Sequence, residues 1–111
     1  VKFIYERYRV PIMITENGVA LEDKPNKNGK VEDDVRCRAL EGFLINLGRA
    51  IKEGIPVLGY QHWSLIDNFE WAEGYEPRFG LIYVEYKTGK RTLKRSAYRY
   101  KEIISTNGEN I

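Results

Sequence analysis

The chain holds a single cysteine, Cys37, and a single histidine, His62. One thiol excludes an internal disulfide, and one Cys with one His cannot build the ligand set of a structural zinc. Neither a metal nor a cofactor is therefore expected. Apolar runs are only a few residues long, far short of the roughly 20 that a membrane helix needs. A basic leader with an apolar core is missing, as is any Asn-x-Ser/Thr sequon, so the expected setting is a reducing cytoplasm. Acids are missing from Lys87 to Lys101, where seven basic residues gather: Lys87, Lys90, Arg91, Lys94, Arg95, Arg99 and Lys101. Tyr98 and Tyr100 are the only rings there. The run reads as the solvated face of a hairpin and terminal helix, with neither nucleic acid nor membrane as partner.

What is present is globular in character. Over 111 residues, 42% are hydrophobic and 31% charged, which fits one soluble domain or less. Val1 to Arg9 has the apolar spacing of the last turns of a helix, and a chain that opens inside a helix is expected to have sequence before it. Pro11 blocks continuation. Ile12 to Thr15 is a short apolar run rich in β-branched residues, expected as a buried parallel strand. Asn17-Gly18 ends it, and Glu22 to Lys30 is a polar loop. Glu32, Asp33 and Asp34 then supply caps and first-turn acids for a helix. Its apolar face is Val35, Ala39, Leu40, Phe43, Leu44, Leu47, Ala50 and Ile51. Gly54 and Pro56 stop that helix, and Val57 to Tyr60 is a second apolar strand. Leu81 to Tyr86 is one arm of a hairpin turning at Thr88-Gly89. Ser96 is expected to cap a final helix that Asn107-Gly108 ends.

This order is α/β with parallel strands. Two such strands can neither close a barrel nor shield their own faces. A closed (β/α)8 barrel takes about 250 residues, so the chain has room for about a quarter of its strands.

Unusual residues stand just beyond both apolar strands. Glu16 ends Ile14-Thr15-Glu16-Asn17-Gly18, and a carboxylate beside a buried strand is costly unless paired or used. A loop acid bonded to turn amides is the plain alternative. Tyr60 to Trp71 crowds both tryptophans, His62, Asp67 and Glu70 into twelve residues. Aromatic faces with carboxylates and indole N–H groups suit sugars, whereas an aromatic minicore under a loop is the plain alternative. Both segments lie at the C-terminal ends of strands, where α/β active sites collect. A His62–Ser64–Asp67 triad is disfavoured because Ser64 lacks the Gly-x-Ser-x-Gly elbow. Thr88-Gly89-Lys90 lacks the upstream glycine of a phosphate loop.

Ile14-Thr15-Glu16-Asn17-Gly18 resembles the nucleophile motif of glycoside hydrolase family 1, the β-glucosidases and β-galactosidases. Gly59-Tyr60 through Trp63-Ser64-Leu65, Asp67-Asn68, Glu70-Trp71, Gly74-Tyr75 and Arg78-Phe79-Gly80 is similar to that family's sugar-binding segment. The resemblance covers nearly all of residues 1–111. It implies the C-terminal portion of a (β/α)8 barrel: the end of the sixth helix, the last two β/α units and a hairpin, incomplete alone.

It further implies a retaining β-glycosidase acting on glucosides, galactosides or oligosaccharides. In that reading Glu16 is the nucleophile, Trp63 a platform under the sugar, Glu70 and Trp71 partners of sugar hydroxyls, and Phe79 a wall of the same subsite. A cis peptide is expected at Trp63-Ser64. Relatives acting on 6-phosphorylated sugars place Ser where Glu70 stands, and Lys and Tyr where Pro77 and Phe79 stand. Plain sugars are therefore expected. The family's acid/base Glu, from an Asn-Glu-Pro segment, has no counterpart among these residues. The remainder of the barrel, or self-association, is thus the expected partner, and the chain alone is expected to be inactive. A carbohydrate-binding or partial-barrel interaction fragment is the other reading.

Overall fold

Pro11 and Pro56 each precede a strand, and Pro56 accepts the first bond between the two strands, from Ile12 N at 2.9 Å. The computed structural model describes residues 1–111 throughout. Helix α1 (Lys2–Tyr8) leads to β1 (Ile12–Ile14), and α2 (Asp34–Lys52) connects β1 to β2 (Val57–Tyr60). The strands are parallel, pairing Ile12 with Val57, Met13 with Gly59 and Ile14 with Tyr60, with one irregularity after Ile12. This is a βαβ unit, the repeat of parallel α/β folds. A 3-10 turn (Trp71–Glu73) follows, then the antiparallel hairpin β3 (Ile82–Glu85) and β4 (Lys90–Leu93), and finally α3 (Arg95–Ser105).

The expected elements are all present, but three local readings change. First, β1 is not the buried strand its residues suggest: Met13 is 44% exposed, and Leu58 of β2 is 70% exposed, as expected of two strands that cannot shield their own faces. An apolar strand predicts burial only where neighbouring strands and helices exist to cover it. Much of the α2 stripe is likewise uncovered, including Val35, Phe43 and Ile51, while Cys37 and Leu40 are buried. Second, Asp33 stands at the N-cap of α2 without capping it. Its carboxylate instead accepts from Ser96 N (2.8 Å) and Ser96 Oγ (2.6 Å), in the first turn of α3. Lys94, not Ser96, is the N-cap of α3. Third, the basic run is not a uniformly solvated face. Lys94 is fully buried, Arg95 pairs with Asp34 and Arg99 with Glu41.

The outline is a slab, 47 × 34 × 17 Å. Its radius of gyration, 15.7 Å, exceeds the roughly 13 Å of a closed domain this long. Its accessible surface, 7844 Å², exceeds the roughly 6,300 Å² expected of a folded monomer of this mass. The chain is a partial α/β barrel with its sheet open.

Candidate active site

Glu16 lies two residues beyond β1, exposed, and its carboxylate makes no hydrogen bond or ion pair within the chain. The plain reading of a loop acid held by turn amides is therefore not what the structure has. The residues after Glu16 are held firmly. Tyr60 OH donates to Asn17 Oδ1 at 2.9 Å, and Trp63 N donates to Asn17 O at 2.9 Å. Gly18 packs directly beneath the Trp63–Ser64 peptide, where a Cβ would collide with the Trp63 carbonyl. The two strand ends therefore meet as one edge, with Glu16 beside the Trp63 segment.

The Trp63–Ser64 peptide is cis, as expected. Ser64 is buried and tied on both sides: its N donates to Phe79 O (3.1 Å), its O accepts from Leu81 N (2.9 Å), and its Oγ donates to Ile66 O (2.8 Å). Phe79 is thereby brought against the Trp63 segment. Glu70 is half-buried, its backbone N bonded to Gly74 O at 2.7 Å and its Oε2 reached by Asn68 Nδ2 at 3.4 Å. Trp71 follows with φ 44° and is 84% exposed. A tryptophan in the left-handed region is strained, and such residues gather at functional sites.

An aromatic cluster does exist under the loop, but it is built without the tryptophans. Phe69 meets Tyr75 at 5.3 Å, Tyr75 meets Tyr86 at 4.5 Å, and the Arg78 guanidinium lies 4.2 Å and 4.6 Å from the Tyr83 and Tyr86 rings. Trp63 and Trp71 stack on no other ring and remain free to meet a ligand.

His62 does not belong to a triad. Both ring nitrogens are buried without a hydrogen-bond partner, and the nearby Phe79 backbone falls short of bonding geometry. Burial, with Arg36 adding to it, lowers the imidazole pKa to about 4, so it is neutral at pH 7. The Cys37 thiol is raised to about 11 by burial, next by Asp33, and is unreactive for the same reason.

Beneath the edge runs a buried ion network that sequence reasoning did not foresee. Arg36 donates to Asp23, to Asp33 Oδ2 (2.9 Å) and to the Val19 and Arg78 carbonyls (2.7 and 3.0 Å). Lys94 Nζ donates to Asp23 Oδ2 (2.5 Å) and Asp67 Oδ1 (2.7 Å). Asp67 also accepts from Arg78 Nη1 (2.7 Å), Gly80 N (3.0 Å) and Val84 N (3.3 Å). Three cations thus meet three carboxylates, and each buried charge is paired and bonded. Asp67, Arg78 and Gly80 stand within the segment that carries the family resemblance, which was a signal of sorts. Asp23, Arg36 and Lys94 gave none, because nothing local distinguishes a buried charge from a solvated one.

Comparisons with known proteins give the family. The model of Glycosyl hydrolase family 1 matches residues 1–109. Beta-glucosidase A of Thermotoga maritima is 46% identical over 96% of this chain, which spans 24% of that protein. A 1,4-beta-D-glucan glucohydrolase of Thermotoga neapolitana is 50% identical over 87% of the chain and 22% of its own length. The Thermotoga maritima family 1 β-glucosidase solved with isofagomine lactam superposes with a TM-score of 0.95 at 45% identity, over 96% of this chain and 25% of that one. The same enzyme has been solved with glucoimidazole and with deoxynojirimycin. The chain spans about a quarter of the length of the relatives it matches. With its nucleophile-like and sugar-segment motifs meeting at one edge and the family match over nearly its whole length, the chain belongs to glycosyl hydrolase family 1.

Proposed function

We propose that this chain supplies the nucleophile and part of the sugar subsite of a retaining β-glycosidase, working on β-glucosides or β-galactosides once the rest of the barrel is in place. The observation that carries the reading is Glu16: a free carboxylate at a strand end, joined through Asn17 and Gly18 to the segment bearing Trp63. In the proposed step a Glu16 oxygen attacks the anomeric carbon while the bond to the aglycone oxygen breaks. A second carboxyl group, contributed from outside these residues, gives that oxygen its proton. Water then cleaves the glycosyl ester with the same group acting as base, which returns Glu16 and releases the sugar. Retaining chemistry needs the two carboxyl groups about 5–5.5 Å apart, so the chain alone is inactive in this proposal. Trp63 lies under the ring, Phe79 walls the subsite, and Glu70 and Trp71 hold hydroxyls. A carboxylate at position 70 repels a 6-phosphate and favours plain sugars.

The test uses a complete barrel in which this chain replaces the matching quarter of Thermotoga maritima Beta-glucosidase A. A 2-deoxy-2-fluoro glucoside should label the Glu16 peptide once per molecule. Labelling elsewhere, or sugar binding with no label and no turnover, would overturn the nucleophile assignment and favour a carbohydrate-binding segment.

A further inference from the structure

Asp23 and Asp67 belong to different loops. Asp23 lies on the loop that leaves Glu16 for α2, and Asp67 lies midway between Trp63 and Glu70. Neither side chain reaches the other loop. The link between them is one ammonium group from a third element, the start of α3: Lys94 Nζ stands 2.5 Å from Asp23 Oδ2 and 2.7 Å from Asp67 Oδ1, and Lys94 is fully buried. Of the other partners of Asp67, Gly80 and Val84 tie its loop to the hairpin, while Arg78, whose backbone pairs with Leu21, reaches the Glu16 loop through the main chain. The other partner of Asp23 is Arg36, on α2. Lys94 is thus the one side chain that bonds both loops, adding to the backbone bond from Trp63 N to Asn17 O at their near ends and to the Leu21–Arg78 pair.

We propose that Lys94 is a positioning residue for the sugar site, a strap that fixes the Trp63–Glu70 loop relative to the loop leaving Glu16. The proposal rests on the β-glycosidase reading above. Lys94 touches no substrate in this scheme. It acts by holding two loops whose side chains must face the same sugar ring, and catalysis is sensitive to displacements of about 1 Å. A purely structural role is the competing explanation, because removing Lys94 leaves Asp23 and Asp67 buried with one cation fewer.

Two variants of the complete barrel separate these roles. Lys94→Met removes strap and charge together. Asp23→Asn with Lys94→Met removes one charge of each sign, which restores the charge balance without restoring the strap. Turnover of an aryl β-glucoside is measured per folded molecule, with folding followed by near-ultraviolet circular dichroism. Both variants are expected to lose roughly ten- to a hundredfold in kcat, the paired variant despite regaining the stability that the single one loses. A paired variant that turns over like the parent overturns the strap, and so does one that cannot be folded, since Lys94 then serves the fold alone.

Hydrogen exchange at Ser64–Asp67 is read in the same proteins. Exchange there should speed up at least tenfold in the paired variant while the later turns of α2, beyond Arg36 and its bond to Asp23, are unchanged, and unchanged exchange at Ser64–Asp67 also refutes the proposal. A parent barrel without any turnover refutes the glycosidase reading, and the exchange measurement still decides the strap.

Discussion

The two halves of this molecule solve burial in opposite ways. Around the start of α2, the hairpin and the start of α3, the chain closes over five charged groups, with Arg78 at their margin, and pairs each of them internally. Around β1 and β2, the chain leaves apolar side chains such as Leu58 in solvent and makes little beyond the bonds between the two strands and that of Tyr60 to Asn17. The polar half is thus finished and the apolar half is open. Charges cannot wait for a partner, because an unpaired buried charge costs several kcal/mol, whereas an uncovered strand only forgoes a gain of about 25 cal/mol per Å². The candidate site sits where the halves meet, with Glu16 on the open side and Trp63 to Glu70 on the closed one.

That division predicts which substitutions act on chemistry and which on stability. In the complete barrel, Glu16→Gln should lower turnover of an aryl β-glucoside by several orders of magnitude with no change in melting temperature, since the side chain has no partner to lose. A coincident loss of stability would mean Glu16 is held in a way this chain does not reveal. Arg36→Met should do the reverse. It leaves Asp33 without a cation and Asp23 with Lys94 alone, and breaking a buried pair from one side costs about 3–5 kcal/mol; denaturant unfolding would register it. A cost near zero would show that the closed half is looser than its bonding suggests.

Glu70→Ala belongs to the boundary. Hydrogen bonds to charged groups contribute about 1.5–3 kcal/mol, so kcat/KM should fall roughly ten- to a hundredfold. The loss should shrink on a deoxy sugar lacking the matched hydroxyl, and an equal loss on both would argue against direct contact. His62 sharpens the comparison through pH. Its pKa is lowered to about 4 in the fold from about 6.5, so between those values the unfolded chain binds a proton that the folded one does not. Stability contributed by neutral His62 is therefore present above about pH 6.5 and falls as pH drops toward 4. Replacing His62 by Phe should flatten the melting curve over that window relative to the parent, and parallel curves would place the imidazole in water. The smallest effect is expected at Leu58→Ser in the isolated chain, within about 0.5 kcal/mol because exposed positions contribute little. A large loss would mean that the sheet is already covered, for instance by a second copy.

The fold and the upper edge of the site were legible because their signals are local. Prolines, helical spacing and the Thr88-Gly89 turn place the elements, and two contiguous motifs place Glu16 and the Trp63 segment. Burial was not legible. Periodicity reports which side of an element is apolar, not whether anything covers it, so β1 reads as a buried strand and is not. The converse error fell on Lys94, which reads as one more solvated lysine in a basic run and is at the centre of the molecule. Its two carboxylates stand 71 and 27 residues away in sequence, and no spacing rule connects partners so far apart. Asp33 misled in a third way. A cap residue was identified correctly in place, but tertiary structure had a different use for its oxygens.

That use has a consequence for how the chain opens. Asp33 sits at the N-cap of α2 and accepts the Ser96 amide at the first turn of α3, 63 residues later. The Ser96 proton can exchange with solvent only after the Asp33 carboxylate has let go of it. The starts of the two helices are therefore tied through one side chain, and the Ser96 amide should exchange faster once Asp33 is replaced by Ala.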